Sequence, residues 1–366
     1  MSSERADTWA STMRGHAVGT AVRAHADSQD GTRAEGVIGR EQREAMERAT
    51  LAGGACLAAG AGHRPTPEAP DPIRTCFERD RDRIVHSPAF RRLAGKTQVV
   101  VYPQDHQRTR LTHALEVAQV ATAIARGIGA NATLTEAIAL GHDCGHGPGG
   151  HASEDAFDPF IAGGYDHGPW GADVVLTPLN LCLETSDGIR NHSWSRPAPA
   201  TAEGEIVSWA DRIAYCAHDL EDALYAGIVR VADLPEAVTA VAGQRRSRQL
   251  DTFITAVIES TVASGIVSMG QNAAEALAAL RRFNYDRIYM RPESIAQSDA
   301  VIAILRDLVE WYIDHPQSLP DGLAGDPARR AVTYVAGMTD RFAFDQAEVL
   351  LGWDPARLPT YIGHGA

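Results

Sequence analysis

The sequence predicts a mostly α-helical protein, and three observations carry that reading. Apolar residues recur at helical spacing through 107–128 and through the run 133–146. The stretch 205–224 has a polar and an apolar side at the same period, with Asp211, Tyr215, His218 and Asp222 on one stripe and Ile206, Ile213, Leu220 and Leu224 opposite. Strand signals are weak, the best being the short run 99–102.

In chain order, residues 1–40 are rich in Ala, Gly, Arg, Asp and Ser and hold few large apolar groups, so they are expected to form a mobile arm or one ordered by a neighbouring subunit. A short helix is expected around 41–60. The four prolines within 64–72 then predict an extended linker, placing the start of the organised domain near Ile73. In 107–128, Leu111, Leu115, Ala118 and Thr122 fall on one stripe, and Thr133 with Glu136 reads as a capping box opening the next helix. Past 230, helices are expected at 233–264, 270–283, 293–314 and 327–350, separated by Gly, Pro and Asn breaks. The chain therefore divides into an arm, short helix and linker (1–72), a core (73–230) and a C-terminal helical region packing on it (231–366), with no repeat at solenoid periods.

A chain of 366 residues with 44% apolar content can bury a sizeable core, and a net charge of -13 argues against nucleic acid as the main partner. The five cysteines are scattered and form no CxxC pair, which suggests neither a disulfide framework nor a cysteine zinc site. No stretch reaches the apolar length of a membrane span and the first residues lack a secretion signal, so the expected location is the cytoplasm.

The chemistry-bearing residues lie at separated spots: His113 in one helical stretch, His142-Asp143 closing the next, and Asp211 in a third. Two imidazoles and two carboxylates suit a metal ion. Arg110 precedes His113 by three residues and shares its helical face, and an arginine beside metal donors suits a phosphate anion. The polar stripe of 205–224 has two readings, a solvated face or the acidic wall of a metal cleft. The turn 145–151 follows a helix rather than a strand and lacks a following Lys-Ser/Thr, so it is no phosphate-binding P-loop. Two readings are open for it: its glycines end the helix and let the chain double back so that His151 and Glu154 face the metal from outside the donor set, or it is a plain surface loop with incidental histidines.

Four segments, 79–99, 108–119, 142–154 and 210–223, closely resemble the HD-domain deoxynucleoside triphosphate triphosphohydrolases, the dGTPase family, in the family's order. The resemblance implies an all-α HD fold with additional C-terminal helices. It implies one divalent metal held by His113, His142, Asp143 and Asp211, with Mn, Fe, Co or Ni at that site and Mg carried by the substrate phosphates. His151 and Glu154 match the catalytic histidine and its carboxylate partner, and His146 and His167 fall near the phosphates. Arg110 and Arg212 match phosphate contacts, Tyr215 and Asp219 deoxyribose contacts, and Gln98 and Val99 the 3′-hydroxyl edge. The implied reaction releases a deoxynucleoside and inorganic triphosphate from a dNTP. The family also allows an activating nucleotide and carries the expectation of a homo-oligomer.

Two departures stand out. The family's ProProPheGlyHis is GlyProGlyGlyHis at 147–151, which predicts a more flexible turn, and His167 is followed by GlyProTrpGly rather than Asn. Two rival readings share the motifs: another HD phosphohydrolase acting on a monophosphate or modified nucleotide, and a non-catalytic dNTP sensor.

Overall fold

The computed structural model describes residues 3–29, 31–99 and 106–359. It divides into two compact units between Ile38 and Gly39. The small unit holds α1 (Ser3–Thr12) and an antiparallel hairpin of β1 (His16–Val18) and β2 (Ala21–Arg23), with His16 opposite Arg23. The helix α1 buries none of its residues, as its composition leads one to expect. Over these residues the arm expected to be mobile or ordered by a neighbouring subunit takes the form of a helix and a hairpin.

The large unit opens with α2 (Arg40–Thr50), which stops well short of residue 60 because a glycine-containing stretch follows Leu51. The proline-rich stretch carries no helix, yet it is anchored. Arg64 is buried and pairs with Asp80 at 2.6 Å, while Glu68 takes Arg79 and Arg83. These residues belong to the large unit rather than standing ahead of it. A capping box of Thr75 and Glu78 opens α3 (Cys76–Val85), and α4 (Pro88–Arg92) leads through a 3₁₀ turn to Lys96.

Next come α5 (Arg110–Ile128) and α6 (Ala132–Gly141), packed on each other. Ala114, Val117, Ala121 and Ile124 of α5 are buried, and so are Ala118 and Thr122 of the expected stripe, with Leu111 half-buried and Leu115 alone of the four 50% exposed. The cap of α6 is Asn131, whose side chain accepts from Thr133 N and Leu134 N, rather than Thr133. The strand candidate at 99–102 lies outside the described residues beyond Val99.

Short α7 (Ala152–Phe157), α8 (His167–Trp170) and α9 (Leu183–Asn191) precede the long α10 (Ala202–Tyr225), which packs on α5, α6 and α9. The C-terminal helices are α11 (Glu236–Ala242), α12 (Arg246–Ser264), α13 (Gln271–Asn284), α14 (Pro292–Asp314), α15 (Pro327–Ala336) and α16 (Asp340–Leu351). Two of the four expected stretches are therefore split, one at Gly243, whose φ is 72°, and one at 337–339. The all-α expectation holds, with 63% of the described residues helical. One apolar cluster joins α3, α5, α6 and α9–α13, and a second joins α7 to α14–α16 through Phe157, Ile304, Leu308 and Phe344. Among the described residues no helix is long and apolar enough to cross a membrane.

Candidate active site

Three helices deliver the metal-type donors. His113 lies one turn into α5, His142 and Asp143 follow the end of α6, and Asp211 sits mid-way along α10. His113 Nε2 stands 3.0 Å from Asp211 Oδ1, and His142 Nε2 stands 3.7 Å from that oxygen and 3.3 Å from Asp143 Oδ1. His142 donates its Nδ1 proton to the Ala139 carbonyl at 2.6 Å, so its Nε2 carries a lone pair, and that buried nitrogen has no hydrogen-bond partner. A buried lone pair flanked by two carboxylates is a site for a cation. A proton competes for the same place: burial works against charging His142, but the charges of Asp143 and Asp211 outweigh it and raise its pKa to about 9, so a metal ion would bind Nε2 in exchange for that proton. The residues present fit a divalent ion. His113, His142 and Asp211 form one compact donor set, whereas Asp143 turns its Oδ2 to Arg110 Nη1 at 2.6 Å and groups with His142 and His192.

Beside these donors lies a second histidine cluster. Glu154 Oε1 accepts from His151 Nδ1 at 3.0 Å and His167 Nδ1 at 2.9 Å, with His146 Nδ1 at 3.6 Å. The His146 and His167 rings stack, their centroids 3.8 Å apart. Burial opposes ionisation of Glu154, yet its histidine partners hold its pKa well below the usual carboxylate range. His167 moves the other way, raised by Glu154 against its own burial. His151 is largely exposed and lines a cavity.

That cavity measures about 460 Å³ and runs from the metal-type donors to the C-terminal helices. Arg110, Arg212, Tyr215, Asp219, Gln98 and Val99 all line it. Arg110 is 2% exposed and leaves Nε and Nη2 without acceptors. The Arg212 guanidinium lies 3.3 Å over the Trp194 ring, and Arg281 Nε donates to the Tyr215 hydroxyl at 2.8 Å. Asp219 accepts from the Tyr289 hydroxyl at 2.5 Å, and burial pushes its pKa up to about 7. Tyr289 reaches it from a π-helical turn, Tyr285–Tyr289, of the kind that re-aims side chains at sites.

The polar stripe of α10 resolves into neither a solvated face nor a single wall. Asp211, Tyr215 and Asp219 face the cavity, whereas His218 and Asp222 are buried behind it. Asp222 and Glu116 there hold Arg108 at 2.5 and 2.7 Å, so this arginine is spent on structure while Arg110, two residues on, faces the cavity.

The glycine turn is not loose. Gly149 N donates to Asp340 Oδ1 at 2.9 Å, and Thr97 N donates to Asp340 Oδ2 at 2.9 Å. Lys96 Nζ, buried, donates to the carbonyls of His146 at 2.5 Å and Ala336 at 2.9 Å, and burial lowers its pKa to about 8. Gly150, at φ 67°, lets Arg110 pass: a Cβ there would stand 2.7 Å from Nη2.

Sequence reasoning missed His192, Lys96, Asp340 and the π-turn tyrosine Tyr289. His192 had a signal. Like His142 it follows the last residue of a helix and gives Nδ1 to the carbonyl three residues back, Ile189, at 2.8 Å. Asp340 had none, since its partners lie 191 and 243 residues away.

Comparison with known proteins completes the site's description. Residues 110–216 match the HD domain and 267–349 a phosphohydrolase-associated domain. A deoxyguanosinetriphosphate triphosphohydrolase-like protein of Caldanaerobacter subterraneus is 40% identical over 283 residues, covering 74% of this chain and 83% of its own. One from Clostridium perfringens is 38% identical over 328 residues, covering 84% and 96%. With its donors on α5, α6 and α10 inside the matched span, the chain belongs to the HD-domain phosphohydrolases, among the deoxyguanosinetriphosphate triphosphohydrolase-like proteins.

Proposed function

We propose that this chain hydrolyses deoxynucleoside triphosphates at the α-phosphorus, releasing a deoxynucleoside and inorganic triphosphate. The observation that carries the reading is Arg110, a buried guanidinium with two free donors turned on a cavity that also receives His113, Asp143 and Asp211, with His142 buried just behind them. Such donors call for an anion, and a phosphoryl group meets them bidentately.

A divalent cation held by His113, His142, Asp143 and Asp211 would offset phosphoryl charge and act as a Lewis acid. The protein's own groups do the rest. Arg110 and, once lifted from Trp194, Arg212 clamp phosphoryl oxygens. The ionised Glu154 fixes the proton of His151 on Nδ1, leaving Nε2 as the atom that takes or gives one. Water adds to the α-phosphorus, the bond to the 5′ oxygen breaks, the water oxygen stays on triphosphate, and a proton reaches the 5′ oxygen. Tyr215 and Asp219 hold the deoxyribose, Gln98 and Val99 its 3′ edge, while His146 and His167 brace the phosphates.

The test is a panel of the four dNTPs and GTP with Mn, Mg and Co, reading nucleoside, triphosphate, pyrophosphate and orthophosphate separately. Equal release of deoxynucleoside and triphosphate is the expected result. Release of orthophosphate alone would assign a different phosphohydrolase reaction, and binding without turnover would make the chain a sensor.

A further inference from the structure

We propose that Cys76 and Cys182 form a latent disulfide, closed by hydrogen peroxide and reopened by a thiol. The two residues are far apart in the chain, yet the fold sets them side by side. Cys76 is the first residue of α3 and Cys182 caps the start of α9. Their side chains bond to each other, the Cys182 thiol on the Cys76 sulfur. The chain crosses both sulfurs at Gly62, where φ is 75° and a Cβ would stand 2.4 Å from Cys182 Sγ and 3.2 Å from Cys76 Sγ. Only glycine fits over such a pair.

One buried network holds the backbones of both cysteines. Asp80 Oδ2 accepts from Cys182 N at 2.8 Å and from Thr185 Oγ1 at 2.7 Å. Arg64 Nη2 donates to the Cys76 carbonyl at 2.9 Å, and Arg64 Nη1 donates to Asp80 Oδ1 at 2.6 Å, which joins the two halves. Disulfide geometry is strict, and cysteines whose backbones are already fixed beside each other reach it by rotating their side chains. The closed bond ties α3 to the start of α9, whose far end is followed by His192 against the rings of His142 and His167.

Cys76 is the thiol prepared to react. It accepts from the Cys182 thiol and from the Ala59 N–H, and these lower its pKa against its own burial, at a helix start that also favours an anion. The same bond raises Cys182, while burial raises Cys56, Cys144 and Cys216. Cys76 and Cys182 are at most 1% exposed, which excludes a bulky oxidant and favours peroxide, a molecule scarcely larger than water. The Cys76 thiolate attacks one peroxide oxygen: an S–O bond forms, the O–O bond breaks, and the leaving hydroxide takes the thiol proton as water. Cys182 then attacks the sulfur of the Cys76 sulfenic acid: the S–S bond forms, the S–O bond breaks, and hydroxide leaves with the Cys182 proton as a second water. The two thiols together lose two electrons and two protons, and peroxide is reduced to two waters.

The folded full chain is treated with hydrogen peroxide at a dose that fully oxidises free glutathione, then denatured for a thiol count and for peptide mapping without reductant. The count is expected to fall by two from the five thiols of the sequence, with one peptide joining Cys76 to Cys182 and with dithiothreitol restoring all five. The oxidised chain should melt several degrees higher than the reduced one, since the bond closes a long loop. Five surviving thiols overturn the proposal, and so does Cys76 oxidised to sulfinic acid with Cys182 still free, or a disulfide to any other cysteine. In Cys182→Ser no joined peptide is expected and Cys76 alone is oxidised; a loss of two thiols there also overturns it. The wild-type peptide map stands whether or not the variant folds. It needs neither nucleotide nor metal, so its failure leaves the dNTP reading in place.

Discussion

The two ends of the cavity are built on different principles. At the donor end His113, His142 and Asp143 are at most 3% exposed, with His142 oriented by the Ala139 carbonyl, Asp143 by Arg110 and His113 by Asp211. At the far end Trp194 and Tyr285 are 47% exposed, and Arg212 rests on an aromatic face instead of in an ion pair. Chemistry that recurs unchanged in every turnover can be held rigidly by buried polar contacts. Recognition that must admit and release a large ligand is left to side chains able to swing.

Substitution at each end should break this contrast in a graded order. Asp211→Ala is expected to lose bound metal and lower turnover by about a thousandfold or more, since loss of a metal's charge stabilisation is worth several kcal/mol; metal analysis beside the kinetic assay checks it. Retained metal with retained activity would remove the donor end as a distinct region.

His151→Ala should lower kcat by about 10² to 10⁴ while metal content stays at the wild-type level, as befits a proton-transfer group. A loss of metal in that variant would merge the histidine cluster with the donor set.

The paired arginines sharpen the point further. Arg108→Ala removes the partner of Asp222 and Glu116 and is expected to cost stability, about 3 kcal/mol by chemical denaturation, because it strands the buried carboxylate of Asp222. Arg110→Ala should instead act on kcat/KM, by about 10² or more, as removal of a preorganised donor does.

The smallest effect belongs to the recognition end. Asp219 has a raised pKa, near 7, so below that pH it is protonated and above it carries the charge that accepts a sugar hydroxyl. The value of kcat/KM is expected to rise as pH passes upward through about 7, and Asp219→Asn should flatten that limb and lower its plateau. A limb unchanged in the variant would assign the titration elsewhere.

The sequence showed the donors because each sits at a place helical periodicity makes visible: His113 inside α5, His142-Asp143 at the end of α6, Asp211 mid-way along α10. It drew the apolar stripe of α5 too narrow because that helix is packed over most of its circumference, and buried Thr122 satisfies its hydroxyl on the Ala118 carbonyl instead of in water. The glycine turn misled for a different reason. Local composition predicts freedom, whereas contacts with Asp340, Lys96 and Phe157, two of them far off in sequence, supply order. His192 escaped because a single histidine after a helix carries no period at all.

The clasp of Asp340 on Thr97 and Gly149 also bears on how the protein is made. Every donor of the metal site lies before residue 212, so a chain emerging from the ribosome presents its chelating groups more than a hundred residues before the clasp exists. Until Asp340 appears, the turn carrying His151 has no anchor on α16. The contact that anchors this turn is thus made later in synthesis than the residues of the candidate metal site.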